Sequence, residues 1–263
     1  MRHALVEING ESTAVTVDGD RLRRADGDTL AADQARWLPP VSGTVFGIAL
    51  NDRALLESHL DSFNQPPYEK PPARPVLFIK TPNTRNGHLG AVARPAGERL
   101  QPGPSLGVVI GKAASRVSEA DAMAHVAGYT VVNEFSLPED SYYRPAVKAK
   151  CRDGFCPIGP WVIDAADVGD PSGLGVRLIV NGELRQEGNT AQFVRPVARL
   201  IAELSEFMTL NQGDVLIAGV PAGRVDVAPG DEVAVEIDKV GTLVSRVTEE
   251  DAAREGDLSL IHI

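Results

Sequence analysis

The sequence predicts a mixed α/β protein that is mainly β. Short apolar runs alternate with Gly, Pro, Asn and Asp along its 263 residues, which is the pattern of strands joined by tight turns. The clearest hairpin has the turn pair Asn181-Gly182 between the run Arg177–Val180 and a second run around Leu184. Only three or four segments have helical spacing, so we expect strands to outnumber helices.

Residues 1–40 are predicted to form a small N-terminal β-rich domain. Two strand-like runs, Leu5–Ile8 and Thr13–Val17, are followed by an Asn-Gly and an Asp-Gly turn pair. The segment Trp37–Pro40 has the composition of a linker, and residues 41–263 are predicted to form the main domain.

The main domain begins with a strand and a short helix that Asn51-Asp52 would cap and that would end near Leu60. The proline-rich stretch Gln65–Pro75 cannot hold regular structure and predicts a loop or lid. A capping-box pattern at Ser118–Asp121 predicts a helix up to about Ala127. Further strands are predicted at Thr44–Leu50, Val76–Lys80, Leu106–Ile110, Tyr129–Val132, Val215–Ala218, Val233–Ile237 and Thr242–Val247.

The clearest amphipathic helix follows the hairpin. Phe193, Val197, Leu200, Leu204 and Phe207 are spaced by four, three, four and three residues, which places them on one helical face. This spacing predicts a core-facing stripe.

The composition excludes several classes of protein. A net charge of −10 argues against a nucleic-acid surface, and the apolar runs are too short to span a bilayer. The N-terminus lacks the continuous apolar stretch of a secretory signal, so we expect a cytoplasmic protein. The phosphate-loop, nucleophile-elbow and dinucleotide-binding glycine motifs are also missing from the sequence.

The two cysteines, Cys151 and Cys156, are predicted to be buried thiols. Their C-x4-C spacing lacks the second ligand pair of a zinc site, and a chain of this length folds without a disulfide. The five histidines are scattered and form no metal-binding pattern.

The segment 127–160 combines acids, bases, tyrosines and backbone-bending residues without one continuous period, as ligand-handling loops do. Arg144, Lys150 and Arg152 could clamp carboxylates, while Tyr142 or Tyr143 could donate a hydrogen bond. An anionic ligand is one interpretation of this pattern. Solvated loop charges with two tyrosines packed on them are the other.

Seven motifs between residues 43 and 248 recur in a known family: Gly43–Asn51, Val108–Lys112, Val126–Glu134, Lys150–Pro160, Val180–Glu183, Leu204–Asp214 and Gly219–Gly223. In this order they resemble the fumarylacetoacetate hydrolase family. Within that family, residues 136–159 are most similar to the bifunctional isomerase/decarboxylases of 4-hydroxyphenylacetate (homoprotocatechuate) degradation, in particular to their N-terminal repeat.

The resemblance implies a β-roll fold and a Mg²⁺ or Mn²⁺ ion held by three carboxylates. In the family this ion acts as a Lewis acid on a 2-oxo acid or its enol. The implied substrates are 5-oxopent-3-ene-1,2,5-tricarboxylate, which is decarboxylated, and 2-hydroxyhepta-2,4-diene-1,7-dioate, which is isomerised. Both are multiply anionic.

Transferring the family's metal site gives a mixed result. Gly103 and Ser105 stand where the family has two of its metal-binding glutamates, so the resemblance predicts a degenerate metal site. Glu134 matches the third ligand. Leu55 and Ser58 fall near the lid positions that hold a histidine and a glutamate in the family.

The resemblance also implies the residues that contact the substrate. Lys150 matches the family's lysine and is the predicted catalytic residue. The predicted substrate-binding residues are Tyr143, Arg144, Arg152 and Asp153. Val220 takes the place of the threonine in a family Gly-Thr-Pro motif, so that hydroxyl is absent.

Three hypotheses follow. The chain could be a subunit of the isomerase/decarboxylase that works with a Glu-x-Glu-bearing homologue, or an active homodimer with a rearranged site. It could also be a non-catalytic oxo-acid-binding or scaffold paralogue of the same fold. Membership of the family implies a homodimer or a heteromer.

Overall fold

The computed structural model describes residues 1–32, 35–139 and 141–250, and within them the protein is mainly β, as predicted. The strands are β1 Arg2–Ile8, β2 Glu11–Asp18, β3 Arg21–Arg23, β4 Thr29–Ala31, β5 Arg36–Leu38, β6 Val45–Ala49, β7 Val76–Lys80, β8 Arg85–Asn86, β9 Ala91–Arg94, β10 Pro104–Ile110, β11 Val126–Asn133, β12 Cys156–Asp164, β13 Gly175–Val180, β14 Glu183–Asn189, β15 Val215–Ile217, β16 Glu232–Ile237 and β17 Gly241–Glu249.

The helices are short and few. They are α1 Arg53–Ser58, α2 Leu60–Phe63, α3 Val147–Lys150, α4 Ala165–Val168 and α5 Val197–Ser205, with 3-10 turns at Pro82–Thr84, Ala122–His125 and Thr190–Gln192.

The strands form two sheets. The larger has the order β4-β3-β2-β1-β12-β11-β10-β15-β6-β7, with β5 paired to β1 and β8 paired to β12. The smaller has the order β14-β13-β16-β17-β9. Its hairpin turns at Asn181-Gly182, both residues with positive φ (52° and 82°), as that turn pair predicts.

The main core lies between the two sheets. Every residue of β10 is buried, whereas β13 and β16 bury alternate residues, because β10 is a central strand and the other two have one face on the core. Leu106, Val108, Leu178, Val235 and Leu243 belong to this core.

The N-terminal strands have a core of their own. Val6, Val15, Leu22 and Trp37 form a separate buried cluster, against which Trp161 also packs. The larger sheet nevertheless runs through this region, because β1 pairs with β12. The β-rich character of the region is confirmed, while its assignment as a separate domain stays a prediction.

Two helix predictions need correction. Ser118 Oγ does accept a bond from the Asp121 amide (3.2 Å), but only a 3-10 turn follows and β11 begins at Val126, since pairing with β10 outweighs the local helix signal. The amphipathic helix begins at Val197, after a proline, and ends before Phe207, which is 66% exposed and not part of the core stripe.

The predicted start of the first helix is confirmed. Asp52 is the N-cap of α1, and its Oδ1 accepts a hydrogen bond from the Leu55 amide at 2.9 Å. The proline-rich stretch after α2 contains neither helix nor strand, in agreement with a loop. In the described part of the chain, no helix is both long and apolar enough to cross a bilayer.

Candidate active site

Glu134 lies at the centre of the site and is completely buried. It follows the last residue of β11, and its amide donates to the Gly103 carbonyl at 2.8 Å. Such a carboxylate loses its hydration on folding, so it requires cationic or hydrogen-bonding partners inside the protein.

Three cationic side chains supply those partners, and we call Glu134 with Lys80, Lys150 and Arg224 the Glu134 cluster. Glu134 Oε1 lies 2.9 Å from Lys80 Nζ and 3.1 Å from Lys150 Nζ. Glu134 Oε2 lies 3.2 Å from Lys150 Nζ and also accepts a short bond from the Arg224 guanidinium. Both carboxylate oxygens are therefore engaged by nitrogen donors.

Lys80 is the last residue of β7 and is held in place by main-chain carbonyls. Its Nζ donates to the carbonyls of Phe135 (2.6 Å), Lys150 (2.8 Å) and Phe155 (3.2 Å). These contacts join three segments around the cluster, so Lys80 acts as a structural centre as well as a charge partner.

Arg224 fixes the other side of Glu134. One guanidinium nitrogen donates to the carbonyls of Gln101 (3.2 Å), Pro102 (3.3 Å) and Glu134 (3.1 Å). A Cβ placed on Gly103 would lie 2.5 Å from the Glu134 carbonyl oxygen and 2.8 Å from the guanidinium. Any side chain at position 103 would therefore collide with this arrangement.

Ser105, at the other family glutamate position, is bonded elsewhere. It is fully buried, and its hydroxyl donates to the Gly219 carbonyl at 2.8 Å. The residues present do not fit a divalent metal: Glu134 is paired with three cations, Glu139 is paired with Lys150, and the described residues contain no group of three metal-ligating side chains. We derive no chemical step through a metal on this chain.

The charges of the cluster stabilise one another. Burial alone would raise the pKa of Glu134, but Lys150, Lys80 and Arg224 lower it well below its ordinary value. Burial lowers the pKa of Lys80, and Glu134 opposes this effect. Because Lys80 meets four oxygen acceptors, we describe it as an ammonium.

Lys150 connects the cluster to a small cavity. Its Nζ lies 2.8 Å from Glu139 Oε2, and the cavity of about 210 Å³ is lined by Glu139, Lys150, Tyr142, Tyr143 and Arg144, among others. Burial, followed by Glu139, raises the pKa of Tyr142 to about 12, so its phenol keeps its proton and can donate a hydrogen bond. This volume is smaller than the roughly 300–1,000 Å³ of most ligand pockets, which limits any ligand held there to a very small molecule or to one end of a larger one.

Tyr142, which lines this cavity, also contacts the α1–α2 segment and the proline-rich loop 65–75. The rings of His59, between α1 and α2, and Tyr142 are 5.3 Å apart and nearly perpendicular. Tyr68 Oη lies 2.8 Å from Ser141 Oγ and accepts a bond from the Tyr142 amide at 2.6 Å. Tyr68 therefore holds the proline-rich loop against the cavity wall.

The predicted site residues fall into two places. Tyr143, Arg144 and Lys150 line the cavity beside Glu134, so two of the three cations of the predicted clamp lie there. Arg152 and Asp153 line a second cavity of about 440 Å³ instead, beside Glu249 and Glu250. The structure thus brings the first group together without Arg152 and Asp153, and the roles of all these residues stay predictions.

The cysteine prediction is half correct. Cys156 is fully buried, and burial raises the pKa of its thiol to about 12. Cys151 is only partly buried, because it lies at the end of α3 near the surface, where its thiol donates to the Ile79 carbonyl at 3.2 Å.

Sequence reasoning missed Lys80, Glu139 and Arg224. A lysine closing the apolar run Val76–Lys80 was a usable signal, because a buried strand end needs a partner for such a charge. Arg224 follows the Gly219–Gly223 motif and gave no local signal, since its partners are distant in the sequence.

The family model described as fumarylacetoacetate (FAA) hydrolase C-terminal matches residues 44–248. The chain belongs to the fumarylacetoacetate hydrolase family. The match spans the whole Glu134 cluster, so Gly103, Ser105 and Arg224 are features of a family member.

A curated relative of this family member is the 4-hydroxyphenylacetate degradation bifunctional isomerase/decarboxylase of Salmonella dublin. It is 44% identical over 230 residues, which cover 86% of this chain and 52% of that protein. The chain therefore spans about half the length of this relative.

Solved structures agree with the fold. The 2-hydroxyhepta-2,4-diene-1,7-dioate isomerase from Mycobacterium marinum has a TM-score of 0.82 at 25% identity, covering 95% of this chain and 99% of that one. Maleylpyruvate hydrolase from Sphingobium sp. SYK-6, solved in complex with manganese(II) and pyruvate, has a TM-score of 0.79 at 24% identity, covering 95% and 100%. The latter likeness concerns the fold alone.

Proposed function

We propose that the chain is a subunit of a 5-oxopent-3-ene-1,2,5-tricarboxylate decarboxylase / 2-hydroxyhepta-2,4-diene-1,7-dioate isomerase in 4-hydroxyphenylacetate catabolism. It binds the multiply anionic oxo acid but does not hold the catalytic metal. A homologue that retains the Glu-x-Glu pair supplies the metal-dependent step. The sequence likeness to the isomerase/decarboxylase supports the pathway. The Glu134 cluster supports the assignment of substrate binding to this chain and of metal binding to the homologue.

The observation that carries the proposal is the position of the Arg224 guanidinium. It contacts the Glu134 carboxylate and fills the space beside Gly103, where the family has a metal-binding glutamate. A divalent cation placed there would meet the repulsion of three cations, and the carboxylates of Glu134 and Glu139 are already paired with those cations.

The residues around the small cavity remain suited to an anion. Arg144 lies at its exposed rim and Lys150 at its buried end, so a substrate with carboxylates at both ends could contact one cation with each. The Tyr142 phenol lines the same cavity and adds a hydrogen-bond donor. These side chains would bind and orient the oxo acid.

The test compares turnover of the chain alone, the Glu-x-Glu homologue alone, and the two mixed. Loss of the substrate's ultraviolet absorbance is followed with Mn²⁺ present. We expect negligible turnover for the chain alone and a several-fold gain in kcat/KM for the mixture over the homologue alone. Equal turnover by the chain alone would overturn the proposal and favour a homodimer with a rearranged site.

Two variants make the test sharper. Arg144→Ala should raise the KM of the mixture because it removes the rim cation, while the matched change Arg246→Ala, on an arginine with 70% of its side chain exposed, should leave KM unchanged. Size-exclusion chromatography of the mixture shows whether the two chains assemble.

A non-catalytic oxo-acid-binding paralogue is the second candidate, and the complete engagement of Glu134 by cations favours it. It would bind oxo acids yet neither assemble with the homologue nor alter its turnover. Titration calorimetry on the chain alone, together with the mixing experiment, separates the two functions.

A further inference from the structure

The carboxylate of Glu139 contacts the Lys150 ammonium at the small cavity that both residues line. Its Oε2 lies 2.8 Å from Lys150 Nζ, closer than either oxygen of Glu134 or the Ser136 hydroxyl at 3.3 Å. An ammonium has three donors, and these contacts use all of them. Lys150 therefore has no donor left for a substrate while Glu139 stays in place.

The charge of the site explains why a second carboxylate is needed. Lys80, Lys150 and Arg224 bring three positive charges to Glu134, which neutralises one and leaves two. Glu139 neutralises another. Uncompensated charge is costly in a buried site, so the position beside Lys150 favours a carboxylate whatever molecule provides it.

Glu139 differs from Glu134 in its surroundings. Glu134 is fully buried and bonded on both oxygens, whereas the side chain of Glu139 is 15% exposed and borders the small cavity. It lies in the loop between β11 and α3, outside regular structure. An entering carboxylate can replace Glu139 without disturbing the three contacts around Glu134.

We propose that Glu139 is an internal competitor that occupies the carboxylate-binding position of Lys150. A small oxo-dicarboxylate binds by displacing it, so Glu139 sets both affinity and selectivity for doubly charged ligands. The inference rests on the proposed function for the class of ligand. It concerns the chain alone, however, and does not require catalysis or a partner.

Titration calorimetry of the full chain with 2-oxoglutarate tests it. Glu139→Gln keeps the shape but removes the competing charge, and we expect 2-oxoglutarate to bind about tenfold more tightly, which corresponds to about 1.4 kcal/mol. The matched control Glu98→Gln, whose carboxylate lies 3.9 Å from the exposed Lys148, should leave the affinity unchanged. Unchanged or weaker binding by a folded Glu139→Gln protein overturns the proposal.

A second measurement needs no variant. Carbodiimide labelling of the wild-type protein, read by mass spectrometry, should modify Glu139 several-fold faster when 2-oxoglutarate is present, because displacement exposes its carboxylate. Labelling of Glu98 should not change. Slower labelling of Glu139 with ligand would show that the ligand covers it rather than replacing it. Failure of the mixing experiment alone would leave both of these results intact.

Discussion

Two arginine-bound glutamates in this protein have opposite surroundings. Glu134 is fully buried beneath Lys80, Lys150 and Arg224. Glu203, on α5, lies near the surface, where it accepts 2.8 Å and 2.6 Å bonds from the Nε atoms of Arg195 and Arg199. The first carboxylate holds loops and strands together, whereas the second joins a helix to the segment before it.

The two sites differ in what balances the positive charge that the glutamate itself does not neutralise. At Glu203 the additional positive charge is solvated, because the side chain of Arg199 is 49% exposed. At Glu134 water cannot perform this role, and Glu139 supplies a second carboxylate. A buried surplus of positive charge therefore favours a second carboxylate beside Lys150, whereas the surplus at Glu203 is balanced by solvent.

The largest expected effect comes from neutralising Glu134 and comparing the loss of stability with that from neutralising Glu203. Glu134→Gln removes the carboxylate that Lys80, Lys150 and Arg224 share and leaves Glu139 to balance Lys150, and we expect a loss of about 3–5 kcal/mol in the free energy of unfolding. Glu203→Gln should cost less, about 1 kcal/mol, because Arg199 is 49% exposed and can turn to solvent. Urea denaturation followed by circular dichroism measures both, and similar losses would refute the distinction drawn here.

The next test concerns the space beside Gly103. Gly103→Ala forces contacts with the Glu134 carbonyl and the Arg224 guanidinium, and we expect a loss of about 2 kcal/mol. In an Arg224→Met background the guanidinium contact is gone, so the added cost of Gly103→Ala should fall by about 1 kcal/mol. A double-mutant cycle in urea gives this coupling, and additive losses would show that Arg224 does not exclude a side chain from position 103.

Mild acid should lower the stability of the fold through His88 and not through Glu134 or Glu203. The pKa values of Glu134 and Glu203 both lie below their ordinary value, so both keep their charge in mild acid. His88 differs, because burial lowers its pKa to about 4 and its Nδ1 accepts a bond from the Val244 amide at 3.1 Å.

The unfolded chain takes up a proton at His88 below about pH 6.5, while the folded protein does so only near pH 4. Stability should therefore fall as the pH is lowered from 6.5 to 4, and His88→Asn should flatten this slope. Urea midpoints at pH 7 and pH 5 test the prediction. Glu203→Gln is the control and should keep the slope.

The smallest expected effect is that of salt. Raising the ionic strength screens exposed charges, so the cost of Glu203→Gln should fall by about 0.3 kcal/mol between low and high salt. The cost of Glu134→Gln should not change, because the cluster is buried. An equal salt response at both sites would show that water reaches Glu134.

Much of the fold was predictable because its signals are local. The predicted strand Val76–Lys80 has the same first and last residues as β7. The hairpin at Asn181-Gly182 and the helix cap at Asp52 also lie where the local sequence predicts them. The failures lie where tertiary contacts outweigh such signals. A 3-10 turn stands where a helix was predicted before Val126, because β11 pairs with β10 from that residue on, and α5 ends before Phe207, which is exposed.

The sequence by itself determined the family, the mainly β character of the fold and the segment that holds Glu134 and Lys150. It also indicated, through Gly103 and Ser105, that two metal-binding carboxylates are absent. Only the tertiary structure decided what takes their place. Lys80 and Arg224 lie 54 and 90 residues from Glu134 along the chain, and burial makes their charges meet in a medium where they must be paired.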